Sequence, residues 1–250
     1  SAAELGIEAD RSYHSFEEMA KAEAVRPDGI DAVSIVTPNH LHADAAIAFL
    51  EAGIHVICDK PLSVSRAEGL RIKQCLQKSS AQFFLTHNYT GYPLIREARD
   101  MVANGKLGNI RVIQAEYAQD WLAEPLETTG QKQASWRTDP KATGGCGAIG
   151  DIGTHAYNLV HYVTGLEAQE LASDLTSYVP GRVVDDNAHI WLRYEGGAKG
   201  QLWISQVAVG NENALRLRIY GDKGGLEWEQ ENPNILWFTP LGGLCQRLTR

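Results

Sequence analysis

The sequence predicts an α/β protein made of two differently built halves, a small parallel sheet followed by an α+β domain with a large, mostly antiparallel sheet. Up to residue 89, three apolar, β-branched runs alternate with helical segments, which is the pattern of a right-handed βαβαβ unit. Beyond Asn104 the apolar residues recur with a period of two, as in antiparallel strands. We therefore expect one domain over residues 1–89 and a second over residues 90–250, with a ligand cleft between them.

The first half is expected to hold three strands and the helices that connect them. Serine followed three residues later by glutamate forms a capping box that opens a helix, and it occurs at Ser15 and at Ser65. A further helix over residues 40–52 ends at Gly53. The short apolar runs between the helices are typical of strands buried on both faces. They cover Ala32–Val36, His55–Cys58 and Gln82–Thr86.

The second half is expected to contain many strands and two helices, Pro93–Asn104 and Asp151–Thr164, the latter closed by Gly165. The strands are predicted at Asn109–Gln119, Glu170–Val179, Asn187–Tyr194, Gln201–Val207, Ala214–Tyr220 and Leu226–Gln230. Large aromatic residues on these runs are too apolar to leave fully in water, so we expect a homo-oligomer, a dimer or tetramer, formed through this sheet. They are Trp191, Tyr194, Trp203 and Trp228.

Composition and charge narrow the classes of partner. The formal net charge is -8 and no basic face with interleaved aromatic residues is present, which argues against nucleic acid and an anionic membrane as partners. No apolar run is long enough to span a bilayer. The four cysteines form no C-x-x-C pair, so we expect reduced thiols and a cytoplasmic protein. His40, His42 and Asp44 would scatter around a helix, and we assign no metal site.

Polar residues follow each of the three strands of the first half. Because the carboxyl ends of parallel strands meet at one edge of a sheet, these side chains are expected to converge on one rim and to bind a ligand there. They are Thr37, Asn39, His42, Asp59, Lys60, His87 and Asn88.

A second candidate site lies in the other half, where a glycine-rich loop runs into the predicted helix. Asp151 and His155 stand four residues apart, so a helix places both on one face. An imidazole beside a carboxylate forms a proton-transfer pair, because the carboxylate orients the ring and stabilises the imidazolium. The plainer alternative is that Asp151 only caps the helix and His155 is a buried structural histidine.

The glycine loop itself contains Gly145, Gly147 and Gly150 with the G-x-G-x-x-G spacing of a dinucleotide-binding turn. That motif requires a buried strand before it, whereas residues 135–141 are polar and include Pro140. We therefore reject it as a phosphate loop. The glycines are expected to leave room for a ligand or for another chain segment.

Three runs of the sequence resemble the Gfo/Idh/MocA family of sugar and polyol oxidoreductases. They are Val33–His42 (VSIVTPNHLH), Ala52–Pro61 (AGIHVICDKP) and Gly150–His155 (GDIGTH). The resemblance implies an NAD(P)-dependent dehydrogenase that moves a hydride between NAD or NADP and a carbinol of a sugar, cyclic polyol or anhydrosugar. It also implies a partial Rossmann domain over residues 1–89 and a substrate-binding and oligomerisation domain over residues 90–250.

The resemblance further implies roles for individual residues. His155 would act as the general base, Asp151 would orient its ring, and Lys60 would hydrogen-bond the reacting oxygen. The residues implied to contact the cofactor are Thr37, Pro38, Asn39, His42, Asp59, Lys60, Asn88, Trp136 and Arg137.

Two departures from the family pattern stand out. Asp59 occupies the position of the usual glutamate, one methylene shorter. The strand, G-x-G-x-x-G turn and helix that open family members do not precede Ser1, and the final sheet usually continues beyond Arg250, so a chain lacking both ends is expected. Two other functions use the same scaffold and stay open here, an NAD-dependent glycoside hydrolase and a non-catalytic sugar-sensing regulator.

Overall fold

A computed structural model describes residues 2–250 and divides the chain into two compact units, residues up to Thr86 and His87–Arg250. The division falls three residues before the expected one at residue 89. The first unit contains a three-stranded sheet and the second an eight-stranded sheet. The predicted α/β class, with one parallel and one mostly antiparallel sheet, is thereby confirmed.

The first unit is the expected βαβαβ arrangement. Its strands β1 (Ala32–Ile35), β2 (His55–Asp59) and β3 (Phe83–Thr86) are parallel and adjacent in that order. Its helices are α1 (Phe16–Glu23), α2 (His42–Glu51) and α3 (Arg66–Leu76). The Ser15 hydroxyl accepts the Glu18 N–H, and Ser65 does the same for Glu68, so both predicted caps are confirmed.

The strands of the first unit are buried on one face only, contrary to the expectation of burial on both. Val56 and Cys58 are fully buried, whereas Ile57 is 40% exposed and Phe84 is 56% exposed. Helix α2 packs against β1 and β2. Within residues 2–250 this packing covers alternate residues of β1 and β2.

The second unit is built on one mixed sheet of eight strands. The strands are β4 (Ile110–Ala118), β5 (Ala168–Thr176), β6 (Asn187–Tyr194), β7 (Lys199–Ser205), β8 (Ala214–Gly221), β9 (Gly224–Glu229), β10 (Ile235–Pro240) and β11 (Gln246–Thr249). Their order in the sheet is β11-β10-β9-β8-β4-β7-β6-β5. Strands β4 and β7 pair in parallel, and every other pair is antiparallel. The sequence patterns had not indicated β10 or β11.

Helices α4 (Pro93–Ala103) and α7 (Thr154–Thr164) pack together over the inner face of this sheet. Two short helices, α5 (Lys132–Arg137) and α6 (Pro140–Thr143), precede the glycine loop. Tyr194 and Trp228 belong to the core, so the expectation that they help to form an outer apolar face is wrong. Strand alternation explains this, because Tyr194 lies three residues from Trp191, which is 59% exposed.

All four cysteines carry free thiols. Among residues 2–250, none of the helices combines the length and the apolar character that crossing a membrane requires.

Candidate functional site

The carboxyl ends of β1, β2 and β3 form one rim of the first unit. Thr37 follows β1, and Asp59 ends β2 beside Lys60. Thr37 and Asp59 are exposed and Lys60 is partly buried, so all three can meet a ligand. The Thr86 hydroxyl at the end of β3 donates to Asp59 Oδ1 over 2.7 Å, which holds that carboxylate at the rim.

His42 supports this rim from inside the first unit. Its side chain is fully buried, with Nδ1 2.8 Å from the Pro61 carbonyl and Nε2 2.9 Å from the Thr37 carbonyl. The imidazole therefore joins the loops that follow β1 and β2. Asn39, which is also buried, begins the short 3₁₀ turn that leads into α2 directly after Pro38.

In the second unit, Asp151 and His155 lie on one helical segment whose first turn is wider than an α-helix. Residues Ile149–Gly153 form a π turn, and α7 continues from Thr154 to the left-handed Gly165. The regular helix expected from Asp151 is thus corrected at its start, while the predicted end at Gly165 is confirmed. Single π turns inside helices are frequent at functional sites because they change the direction of the side chains.

Aromatic rings surround His155, whose exposure is 7%. The Tyr89 ring meets it edge to face with 4.8 Å between centroids, and His87 does so at 5.6 Å. Tyr117 lies at 6.1 Å. These rings fix the plane of the imidazole and keep bulk water away, which suits a group that transfers a proton in a defined direction.

The carboxylate of Asp151 is held from two sides. Gln206, which is buried, donates from Nε2 to Asp151 Oδ2 over 2.9 Å. The Arg137 Nε lies 3.3 Å from the same oxygen. The Arg137 guanidinium also stacks on the Trp136 ring at 4.3 Å. Arg137, which the resemblance assigned to the cofactor, therefore lies next to the Asp151 carboxylate, and Trp136 packs on the Arg137 guanidinium. Asn88, also assigned to the cofactor, is exposed at the start of the turn after β3.

A polar network that the sequence patterns did not reveal continues from this site. Tyr89 and Tyr117 share a hydroxyl–hydroxyl hydrogen bond, and Tyr117 donates to Asn213 Oδ1 over 2.7 Å. The Gln119 amide donates to the same Asn213 oxygen. Burial raises the pKa of Tyr117, with a further contribution from Tyr89, so its phenol stays protonated and acts as a donor. Tyr89 lies in the turn after β3, Tyr117 and Gln119 lie at the end of β4, and Asn213 directly precedes β8. Because these residues are far apart in sequence, no local spacing signals them.

The glycine loop makes room for another chain segment. A Cβ atom at Gly147 would lie 2.0 Å from the Asp185 carbonyl oxygen. The glycines were expected to leave room for a ligand or for another chain segment. At Gly147 the second expectation is confirmed, because backbone from the loop before β6 occupies the space.

The loop before β6 is anchored by a buried arginine. Only 1% of the Arg182 side chain is exposed, and its guanidinium pairs with Glu127 at 2.9 Å and with Asp186 at 3.2 Å. It also donates to the carbonyls of Leu122 and Glu124. This one side chain therefore ties the loop before β6 to the loop after β4.

Replacing Glu127 with glutamine is expected to lower the free energy of unfolding by about 1–2 kcal/mol at pH 7. The Arg182 guanidinium, which hydrogen-bonds the carboxylate, holds the pKa of Glu127 below its ordinary value. The charged form therefore stabilises the folded state above the unfolded-state pKa, and this stabilisation is lost as the pH falls through the lowered folded-state pKa. Urea unfolding of both proteins should show a difference that is full at pH 7 and closes below about pH 4.

Glu124→Gln is the matched control, because Arg182 contacts the backbone carbonyl of Glu124 and the exposed side chain can change freely. Its stability should follow that of the wild type. Equal stability of the Glu127→Gln variant and the wild type at pH 7 would show that the ion pair does not stabilise the fold.

No group of three or more histidine, cysteine, aspartate or glutamate side chains within residues 2–250 is placed to hold a metal ion. The described side chains themselves offer acid–base chemistry. In the second unit these are the shielded imidazole of His155 and the carboxylate of Asp151, four residues earlier in the chain. In the first unit they are the partly buried Lys60 and the exposed Asp59 next to it in sequence.

Two family models match the chain, one in each unit. The model of an oxidoreductase family with an NAD-binding Rossmann fold matches residues 1–87. The GFO/IDH/MocA C-terminal domain model matches residues 95–227, more than half of the chain. The chain belongs to the GFO/IDH/MocA family. The resemblance carried by the three sequence runs is confirmed.

Several solved structures share the fold along the whole chain. An oxidoreductase from Sinorhizobium meliloti is 51% identical, with a TM-score of 0.89, and matches 100% of this chain and 66% of that one. An inositol dehydrogenase homolog from Azotobacter vinelandii, complexed with NAD+, is 36% identical with a TM-score of 0.95, matching 100% of this chain and 64% of that one.

Among curated relatives, a levoglucosan dehydrogenase from Pseudarthrobacter phenanthrenivorans is 29% identical over 93% of this chain. The chain spans 64% of the length of that levoglucosan dehydrogenase.

Proposed function

We propose that the protein is an NAD(P)-dependent oxidoreductase that transfers a hydride between a nicotinamide cofactor and a carbinol of a sugar, cyclic polyol or anhydrosugar. The observation that carries the proposal is the shielded imidazole of His155, which lies on the same helical segment as Asp151. Gln206 and Arg137, from other parts of the second unit, hold the Asp151 carboxylate. Relatives named for inositol and for levoglucosan support a ring-shaped, hydroxylated substrate.

The rim of the first unit fits a nicotinamide cofactor. Ribose hydroxyls and a carboxamide need both donors and acceptors, and the hydroxyl of Thr37, the carboxylate of Asp59 and the ammonium of Lys60 provide them at the carboxyl ends of parallel strands. His42 would act indirectly, by holding the two loops together. When bound, NAD or NADP supplies the hydride chemistry. The residues proposed to hold it are Thr37, Pro38, Asn39, His42, Asp59, Lys60, Asn88, Trp136 and Arg137.

In this proposal, three residues of the chain handle the proton and the charge of the carbinol. His155 takes the hydroxyl proton as general base. Asp151 stabilises the imidazolium that forms. Lys60 hydrogen-bonds the reacting oxygen as negative charge develops on it, an effect that grows in a site from which water is excluded. The aromatic rings around His155 contribute to that exclusion in the second unit.

The proposal is tested by incubating the native gene product with NAD or NADP and a panel of cyclic polyols, sugars and anhydrosugars. We expect stoichiometric reduction of the nicotinamide with at least one of them. Cleavage of a glycoside without net nicotinamide reduction would overturn the proposal in favour of a glycoside hydrolase. Sugar binding without any turnover would overturn it in favour of a sugar-sensing regulator.

The four free thiols favour a cytoplasmic setting for this activity.

We also propose that the protein forms a homo-oligomer, a dimer or tetramer, through the outer face of the eight-stranded sheet. Trp191 is 59% exposed there, and Trp237 on β10 is 43% exposed. Trp203 lies on the same face, since it pairs with His189 two residues from Trp191 on β6. Charged pairs such as Arg218 and Glu116 are interleaved with these aromatic residues. Aromatic residues and arginine are enriched at subunit interfaces relative to the rest of a protein surface.

Replacing Trp191 with glutamate is expected to weaken self-association at least about tenfold, because it removes a large aromatic contact and places an unpaired charge in the proposed interface. Size-exclusion chromatography with light scattering at micromolar concentration would show a smaller particle. Val25→Glu introduces the same charge at an 82% exposed position after α1 and should leave the mass unchanged. A wild-type protein that elutes as a monomer at this concentration would contradict the proposal.

A further inference from the structure

Asp185 provides hydrogen-bond acceptors for three successive backbone N–H groups at the start of the helical segment that carries Asp151 and His155. Its carboxylate accepts the Gly147 N–H over 2.7 Å and the Ile149 N–H over 2.8 Å. Its own carbonyl accepts the Ala148 N–H over 2.8 Å. One residue, 36 and 38 positions further along the chain, therefore satisfies N–H groups that the helix itself cannot.

The local sequence gives this helix no cap of its own. A helix is usually capped by the side chain of serine, threonine, asparagine or aspartate directly before it. Here Gly145, Cys146 and Gly147 precede the first turn, and two of them have no side chain at all. The negative charge of Asp185 also interacts favourably with the positive end of the helix dipole.

Asp185 is itself fixed in position by its neighbour. The carboxylate of Asp186 accepts the N–H groups of Tyr178 and Val179 and pairs with the buried Arg182. The Asp186 carbonyl accepts the N–H of Gln206, the residue whose side chain holds Asp151. The start of the helix is thus joined, through one pair of aspartates, to the end of β7 and to the loop before β6.

We propose that Asp185 is a positioning residue for the Asp151 and His155 pair, which it controls through the start of their helix. This inference rests on the proposed function for its kinetic consequence, whereas its structural part concerns only the second unit. Displacement of catalytic groups by about 1 Å can cost on the order of 100-fold in rate. Loss of all carboxylate contacts at the helix start is expected to let the π turn and His155 shift by amounts of that kind.

The test compares Asp185→Ala and Asp185→Asn with the wild type. For Asp185→Ala we expect kcat to fall about 10- to 100-fold while KM for the sugar or polyol stays within about threefold, because a positioning defect affects chemistry more than binding. Asp185→Asn keeps one carbonyl oxygen as acceptor and should recover part of the loss. Hydrogen exchange measured by mass spectrometry should become faster over residues 148–156, around the helix start.

Glu127→Gln serves as the matched control, because it weakens the same loop through Arg182 without touching the helix start. It should keep both kcat and the slow exchange over residues 148–156. A folded Asp185→Ala variant with the same kcat and the same hydrogen exchange as this control would overturn the inference. If Asp185→Ala does not fold, Asp185→Asn is compared with the control instead. If the wild type shows no turnover, the proposed function fails. Hydrogen exchange over residues 148–156 then tests the positioning role by itself: faster exchange in Asp185→Ala supports it, and unchanged exchange overturns it.

Discussion

His155→Ala should lower kcat by about two to four decades, the usual contribution of a positioned general base. The ring that is removed is almost fully buried, and its centroid lies 4.8 Å from that of the Tyr89 ring, so bulk water has little access to the position of the base. Because the interaction with the hydroxyl proton strengthens in the transition state, kcat and kcat/KM should fall together. Steady-state kinetics with the best substrate of the panel measures this.

His161→Ala provides the control on the same helix. The His161 side chain is 44% exposed, and its ring faces the Leu166 carbonyl and Glu167, away from the aromatic rings around His155. The kcat of the His161→Ala variant should stay near the wild-type value. His155→Asn tests whether a small polar group of similar shape can take over the base, and we expect that it cannot. Near-normal turnover in both His155 variants would refute the assignment of the base.

Lys60→Met should lower kcat by about two to three decades, because it removes the charged donor to the reacting oxygen while keeping much of the side-chain volume. Cofactor affinity is expected to stay within a few-fold, since Thr37, Asp59 and the supporting His42 are unchanged. The two effects are separated by measuring turnover and, independently, cofactor binding by fluorescence titration.

Lys73→Met is the matched control, because Lys73 is an exposed lysine near the end of α3. Its kcat and cofactor affinity should both match the wild type. If Lys60→Met retains normal turnover, Lys60 supports only the structure of the rim. If it loses cofactor affinity in proportion to the rate, its contribution is to binding and not to the transition state.

Local sequence signals accounted for much of the fold. The capping boxes at Ser15 and Ser65 indicated two helices of the first unit, and three apolar runs indicated its strands, because caps and side-chain periodicity act over a few residues. Strand β10 was not predicted, because its four apolar residues, 235–238, are consecutive and show no alternation with polar residues. The parallel pairing of β4 with β7 also left no trace, since strand order depends on contacts between residues far apart in the chain.

The candidate site likewise contains residues that local motifs predict and residues that only the fold brings together. Asp151, His155 and Lys60 stand in recognisable local motifs, and the sequence pointed to them directly. Gln206, Asn213 and Asp185 reach the site from other parts of the second unit, and nothing in the residues beside them indicates a role. Only Gly147 gave a hint, because a glycine without an obvious turn implies that something comes close to its Cα atom.

The π turn at Ile149–Gly153 has a consequence for insertions and deletions. Successive residues of a helix are rotated by about 100° around its axis, and a π turn contains one residue more than the regular α-helical turn. Deleting one residue between Asp151 and His155 would restore the regular α-helical spacing and rotate His155 by about 100° relative to Asp151. Leu159 and the other buried apolar residues of α7 would turn with it and leave the core. Changes of length in this family should therefore be absorbed by the surface loops, with this segment conserved in length even where its residues differ.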